Sequence, residues 1–167
     1  LYDLYSDSST FSHIYGLDGD MVLRTVGNNK YLYVGMRRGG NNYYAFDITS
    51  KTSPSLMFKI EGGSTGFTKL GQTWSKPTVT KIRVGATAKD VLVFGGGYDD
   101  DQDSKATRSA DTVGNAVFIV DASTGQLIWS ASNTGANLNL TAMQYSIPAR
   151  ISVIDRDNDG FADHMYP

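Results

Sequence analysis

Residues 91–97 read Val-Leu-Val-Phe-Gly-Gly-Gly, and residues 116–121 read Ala-Val-Phe-Ile-Val-Asp. The same order of features occurs earlier: residues 31–35 read Tyr-Leu-Tyr-Val-Gly, Gly39-Gly40 follows, and residues 43–47 read Tyr-Tyr-Ala-Phe-Asp. Short β-branched and aromatic runs bounded by Gly, Asn, Asp and Ser are typical of β-strands. The recurrence predicts that one unit of strands is used more than once.

Each predicted unit contains four strands, and no stretch of the chain keeps the apolar spacing of an amphipathic helix. The strands of the first unit are residues 13–17, 31–35, 43–46 and 56–60. In the second unit a strand opens at Ser75-Lys76-Pro77 and is followed by strands at 91–94, 116–120 and 126–129. A third unit opens at Ser146-Ile147-Pro148, with a strand within residues 149–154.

A recurring four-stranded unit is the pattern of a β-propeller blade. Because a propeller has about 4 to 8 blades, two blades and the start of a third indicate an all-β fragment of a larger propeller. A β-sandwich is the alternative, since it is built from similar strands. The predicted limits are 1–12 for a polar lead-in, 13–60 for the first unit, 74–130 for the second with an insertion at 98–114, and 145–167 for the third.

Composition excludes several kinds of function. The 167 residues include no cysteine, which rules out disulfides, thiolate zinc sites and a cysteine nucleophile. The formal net charge of −2 argues against nucleic acid as a partner. No apolar run approaches the roughly 18 residues that span a membrane, so we expect no transmembrane segment.

The strongest local motif is Asp155-Arg156-Asp157-Asn158-Asp159-Gly160-Phe161-Ala162-Asp163. It places acids at loop positions 1, 3, 5 and 9 and glycine at position 6, which is the ligand spacing of a calcium loop. The carbonyl of Phe161 falls at position 7, where such loops use a backbone oxygen. We therefore expect Ca²⁺, held by the side chains of Asp155, Asp157, Asp159 and Asp163 and the carbonyl of Phe161.

This motif departs from an EF-hand. Position 12 is Tyr166 rather than glutamate, and the flanking residues resemble strands rather than helices. His164 is expected to be a strand residue rather than a metal ligand. An acidic turn without an ion is the alternative, and the sequence does not decide whether an ion there would be structural or regulatory.

Catalytic candidates are weak, and we predict no catalytic residue. Gly62-Gly63-Ser64-Thr65-Gly66 matches the pattern of a nucleophile elbow, but that pattern requires a following helix, and residues 67–71 are too short and end in glycine. Trp74 and Trp129 are expected to pack between blades. The insertion at 98–114, with five aspartates, is either a solvated loop, a second cation site or a contact with another domain.

Five motifs in this order resemble the C-terminal domain of the PilY family of type IV pilus biogenesis and tip-associated adhesin proteins. They are Gly39-Gly40 with residues 43–49, residues 71–77, residues 93–99 with Gln102-Asp103, residues 114–125, and Ser146-Ile147-Pro148 with the loop at 155–163. The resemblance covers roughly residues 13 to 167 and implies a modified β-propeller with one calcium loop between strands. It also implies the five ligands given above.

The resemblance further implies a non-enzymatic role in pilus assembly, extension and retraction, twitching motility and surface adhesion. The implied partners are pilin and minor pilin subunits, and host or abiotic surfaces. The implied location is outside the cell, at the pilus tip, the cell surface or the outer membrane of a Gram-negative bacterium. Two other propeller functions remain open at this point: a quinoprotein-like dehydrogenase and an integrin-like, calcium-dependent adhesion protein.

Overall fold

A computed structural model of the chain describes residues 15–167, which form eleven strands and two short 3₁₀ segments, with no α-helix in that range. The first sheet has the order β1-β2-β3-β4, with every neighbouring pair antiparallel. Its strands are β1 (Met21–Val26), β2 (Asn29–Gly35), β3 (Asn42–Asp47) and β4 (Ser55–Glu61). This meander is one blade-like unit.

The second sheet has the order β5-β6-β7-β8-β9, and the third is the hairpin β10-β11. The second sheet repeats the antiparallel meander of the first and then adds β9, which runs parallel to β8. The strands are β5 (Thr78–Val84), β6 (Thr87–Gly95), β7 (Ala116–Asp121), β8 (Leu127–Ser132), β9 (Leu138–Asn139), β10 (Ser152–Ile154) and β11 (His164–Tyr166). The prediction of an all-β fold with two four-stranded blades and the start of a third is confirmed.

The predicted first strand of the first unit is wrong. The structure places that strand at Met21–Val26, whereas residues 15–17 belong to no strand, and His13 and Ile14 lie outside the described residues. β1 joins β2 through the two-residue turn Gly27-Asn28, just as β5 joins β6 through Gly85-Ala86. A glycine-led two-residue turn is a hairpin signal, and this signal locates β1 correctly.

Other strand limits differ by a few residues. β10 begins at Ser152, three residues into the run predicted at 149–154, and β9 was not predicted. The polar lead-in at 1–12 lies outside the described residues, and the domain limits stay a prediction.

An aromatic core joins the first two sheets. The Tyr43 and Phe94 rings lie 4.5 Å apart between centroids, and Phe94 lies 5.6 Å from Phe118. All three side chains are buried. The Tyr33 hydroxyl donates to the Ala122 carbonyl at 2.8 Å, which satisfies a polar group inside this core. Each sheet therefore covers one apolar face of the other.

β6 is buried on both of its faces. Leu92 and Phe94 pack toward the first sheet, whereas Val91 and Val93 pack with Ile151 and the third hairpin. Since alternate residues of a strand point to opposite faces, a continuous apolar run is what a strand between two layers requires. The run Val-Leu-Val-Phe thus identifies the second sheet as the middle layer.

The glycine run that follows β6 is explained by close backbone contacts. A Cβ atom at Gly95 would lie 2.2 Å from the Ile147 carbonyl oxygen, and one at Gly97 would lie 1.9 Å from the Gln72 carbonyl oxygen. Neither position can hold a side chain without a backbone shift. Three connecting segments therefore meet at this end of the sheets because glycine lets them approach.

The insertion at 98–114 is anchored by two buried acids. Asp99 accepts hydrogen bonds from the backbone N–H groups of Asp101, Thr112 and Val113, and Asp111 accepts from the N–H and hydroxyl of Ser146. Both residues are buried. Asp100–Ser104 forms a 3₁₀ segment. Asp99 closes the insertion on itself, and Asp111 ties it to Ser146 at the start of the third unit.

Asp99 is ionised more readily than an ordinary aspartate. Burial raises the pKa of its carboxyl, but the N–H groups of Thr112, Val113 and Asp101 outweigh burial and hold the pKa below its ordinary value. A carboxyl whose pKa is lower in the folded state stabilises the fold above its unfolded pKa, and this contribution is lost as the pH falls through its folded pKa.

We expect Asp99→Asn to lower the free energy of unfolding at neutral pH by about 1–3 kcal/mol, because backbone donors lose a charged acceptor. The deficit should begin to shrink as the pH falls below about 4, the ordinary pKa of an unfolded aspartate, and should vanish once the pH has passed the lower pKa of folded Asp99. Urea unfolding at both pH values measures the difference. Asp101→Asn, at an exposed position in the same insertion, is the control and should behave like wild type. A deficit that is the same at both pH values would contradict the assignment.

Candidate metal centre

The loop at residues 155–163 connects β10 and β11. The hairpin pairs Ile154 with His164, and the Asp163 N–H donates to the Ile154 carbonyl at 2.9 Å, which closes the base of the loop. His164 is a strand residue, as predicted. The hairpin thus presents the acidic motif as one closed turn.

Three of the predicted ligands lie together. Carboxylate oxygens of Asp155, Asp157 and Asp159 are all within 4.8 Å of one another. In residues 15–167 this is the one group of three or more His, Cys, Asp or Glu side chains placed to share a metal ion. Alternate positions of a tightly curved loop therefore converge, as the spacing predicts.

Backbone N–H groups hold these carboxylates in place. The Asp159 N–H donates to both Asp155 and Asp157 at 3.2 Å, the Gly160 N–H donates to Asp155 at 2.8 Å, and the Phe161 N–H donates to Asp159 at 2.9 Å. Asn158 and Gly160 adopt positive φ angles of 61° and 88°, the left-handed conformation that suits glycine and asparagine. These two residues make the reversal that points the N–H groups inward.

The group carries more negative charge than its neighbours compensate. Of the three carboxylates, only that of Asp159 forms an ion pair with a described residue, in which Arg83 Nη2 lies 3.3 Å from Asp159 Oδ2. Two negative charges are left at the surface of the hairpin. Carboxylate oxygens are ligands for hard divalent cations such as Ca²⁺ and Mg²⁺. The donor set and its charge fit such an ion.

Asp163 stands apart from these three acids. One of its oxygens, Oδ2, accepts a hydrogen bond from the Arg156 N–H at 2.8 Å, and its carboxylate does not belong to the group within 4.8 Å. The ring of Phe161 packs under the guanidinium of Arg83, 3.9 Å from centroid to carbon. The ligand roles of Asp163 and the Phe161 carbonyl stay a prediction, as do those of the other three acids.

Sequence reasoning missed Arg83. This residue belongs to β5 in the second sheet and reaches the loop only because β10 packs beside β5. No local motif contains it. Because Arg83 and Asp159 are 76 positions apart in the sequence, motif spacing could not predict their contact.

The remaining sequence candidates lie in loops of the first two units. Residues 62–66 lie in turns after β4, with no helix following, so the Gly-x-Ser-x-Gly pattern is a loop and not a nucleophile elbow. Trp74 lies under Arg37, with 4.9 Å from guanidinium to ring centroid, and meets Tyr98 edge-on. The acids of the insertion do not group as metal ligands.

Comparison with known proteins gives a consistent answer. The chain is 28% identical over 166 residues to a type IV pilus biogenesis factor PilY1 homolog of Xylella fastidiosa (strain Temecula1), covering 93% of the chain. It is also 28% identical over 131 residues to the type IV pilus biogenesis factor PilY1 of Pseudomonas aeruginosa (strain UCBPP-PA14). The crystal structure of the Pseudomonas aeruginosa PilY1 C-terminal domain superimposes with a TM-score of 0.62 at 25% identity, over 90% of the chain. The resemblance to the PilY family is confirmed.

Most of the chain matches PilY1, but it matches only a small part of PilY1. The chain spans about 10% of the length of the Xylella fastidiosa relative and 28% of the solved PilY1 C-terminal domain. It therefore has the fold of a part of that PilY1 domain. No family model matches the chain. Among the described residues, no helix is long and apolar enough to cross a membrane.

Proposed function

We propose that the chain is a calcium-binding, non-enzymatic part of the type IV pilus machinery. The similarity to PilY1 over most of the chain carries this proposal, because the relatives are named as type IV pilus biogenesis factors. The cluster of three carboxylates on the third hairpin supports the calcium part. Residues 62–66, the only sequence pattern suggestive of a hydrolase, lie in turns, which favours a role without catalysis.

In this proposal Asp155, Asp157, Asp159 and Asp163 supply carboxylate oxygens and Phe161 supplies its carbonyl. The loop N–H groups hold the carboxylates of Asp155, Asp157 and Asp159 near one another, which supports this role. Asp163 uses Oδ2 for the Arg156 N–H and retains a second oxygen, Oδ1, for a ligand. When bound, the ion supplies positive charge that cancels the repulsion among the carboxylates.

Charge neutralisation would make the stability of the β10–β11 hairpin depend on ion occupancy. The loop is bounded by β10 and β11, two strands of three residues each. A short hairpin is marginally stable on its own, so repulsion within its loop weakens it. We infer that the hairpin is firm when the ion is present and looser when it is absent, which gives the ion a means to regulate pilus extension and retraction.

The proposed role of the parent protein follows that of its relatives. It acts in pilus assembly, extension and retraction, twitching motility and surface adhesion. Its partners are pilin and minor pilin subunits, together with host or abiotic surfaces. It is exported to the pilus tip, the cell surface or the outer membrane of a Gram-negative bacterium.

Calorimetry of the full-length protein tests the calcium site. We expect Ca²⁺ uptake at or below millimolar concentration, and Asp155→Asn should weaken the affinity about tenfold or more, because ligand charge sets affinity in such loops. Asp101→Asn removes the same charge from the exposed part of the insertion and should leave the affinity unchanged. Equal affinities in Asp155→Asn and wild type would exclude the assigned ligands.

The conformation of Gly160 should matter to the same site. A Cβ at Gly160 meets no atom within 4 Å, so Gly160→Ala changes only the cost of its φ angle of +88°. That cost is roughly 1–2 kcal/mol; because the looser ion-free loop relieves it and the bound loop does not, we expect Ca²⁺ affinity to fall by up to about 5- to 30-fold. Gly135→Ala, at φ +71° and also in open space, is the matched control and should bind Ca²⁺ normally. Similar losses in both variants would mean that the effect is not local.

The pilus role is tested in the source bacterium. A strain lacking the gene should lose surface pili and twitching, and the wild-type gene should restore both. We expect Asp155→Asn to restore the amount of protein but not normal twitching, whereas Asp101→Asn restores both. Normal piliation and twitching in the deletion strain would contradict the proposed role independently of calcium.

A further inference from the structure

Arg83 joins the second sheet to the acidic loop. It lies near the end of β5, and its Nη2 atom is 3.3 Å from Asp159 Oδ2. The two side chains are 57% and 37% exposed, so water reaches the pair from outside. The other oxygen of Asp159 accepts the Phe161 N–H. Arg83 therefore occupies the one Asp159 oxygen that the loop backbone leaves open.

One further contact fixes the guanidinium, and a backbone hydrogen bond fixes the loop beside β5. Its central carbon lies 3.9 Å from the centroid of the Phe161 ring, a shorter distance than the other arginine–ring contacts among residues 15–167. The Ala162 N–H donates to the Lys81 carbonyl of β5 at 2.8 Å. A guanidinium stacked on a ring and paired with a carboxylate has a defined position rather than a diffuse one.

We propose that Arg83 competes with the cation for Asp159 and sets the affinity of the loop. This inference rests on the proposed calcium site. Without an ion, the guanidinium supplies the positive charge that Asp159 needs. When Asp159 becomes a ligand, the ion pair is lost or weakened, and its free energy is subtracted from that of binding.

The sign of the effect follows from charge. Arg83 reduces the three negative charges of Asp155, Asp157 and Asp159 to two, and it repels a divalent ion that approaches them. Removing the guanidinium leaves the Asp159 carboxylate without its ion pair and raises the attraction of the group for the ion. A residue that merely braced the loop would have the opposite effect, because its removal would disorganise the ligands.

Linkage makes the effect reciprocal. If Arg83 lowers the affinity for the ion, then the bound ion weakens the hold of Arg83 on the loop by the same factor. Arg83 stands at the end of β5, next to the β5–β6 turn. Ion occupancy in the third unit is thereby transmitted to the edge strand of the second unit.

Titration of the full-length protein with Ca²⁺ at low ionic strength tests the proposal. We expect Arg83→Gln to bind Ca²⁺ about 2- to 10-fold more tightly than wild type. Arg156→Gln is the matched control, because it removes the same charge from the loop itself while Arg156 forms no side-chain ion pair with the described residues. Its gain should be smaller than that of Arg83→Gln.

Salt supplies a second readout. The advantage of Arg83→Gln should diminish between about 0.05 M and about 0.5 M NaCl, since the pair is exposed and screened. Circular dichroism and the unfolding temperature without calcium establish that the variant is folded.

The outcomes distinguish failure of the Arg83 proposal from failure of the proposed calcium-binding function. Unchanged or weaker binding by Arg83→Gln overturns the competition, and so does an equal gain in Arg156→Gln, which would reflect net charge alone. Absence of Ca²⁺ uptake by the wild-type protein would instead overturn the proposed function.

Discussion

The aromatic contact between the first two sheets is the interaction on which the rest of the structure depends. Tyr43, Phe94 and Phe118 pack in a chain of rings, and every ring is buried. Each sheet is too thin to bury an apolar face alone, so this layer stabilises both. Because the second sheet is fixed in this way, its opposite face becomes a platform for Ile151 and the hairpin that carries the acidic loop.

Much of this fold can be predicted from the sequence, because its strands are short, apolar and bounded by glycine. The run at 91–94 was recognisable as a strand, and its lack of alternation reflects burial on both faces. β1 was missed since its outward residues Met21 and Leu23 are 66% and 60% exposed, so no core pattern marks it. The turn Gly27-Asn28 was the available signal.

Some features of the candidate site could likewise be predicted from the sequence, and others could not. The approach of Asp155, Asp157 and Asp159 could be predicted because all three lie in one loop, where spacing determines direction. The contact with Arg83 could not, since it depends on how β10 packs against β5. The orientation of Asp163 was equally hidden: one of its oxygens is taken by the Arg156 N–H, a choice made by backbone geometry rather than by residue type.

The insertion at 98–114 and the loop at 155–163 are both rich in aspartate, but their carboxylates are compensated differently. The Asp99 carboxylate is buried, but the N–H groups of Asp101, Thr112 and Val113 and the Thr112 hydroxyl all donate to it. One charge with four donors needs no ion. The loop at 155–159 offers three N–H groups and one guanidinium to three carboxylates. The number of donors for each negative charge, rather than the number of aspartates, therefore distinguishes buried Asp99 from the proposed cation site.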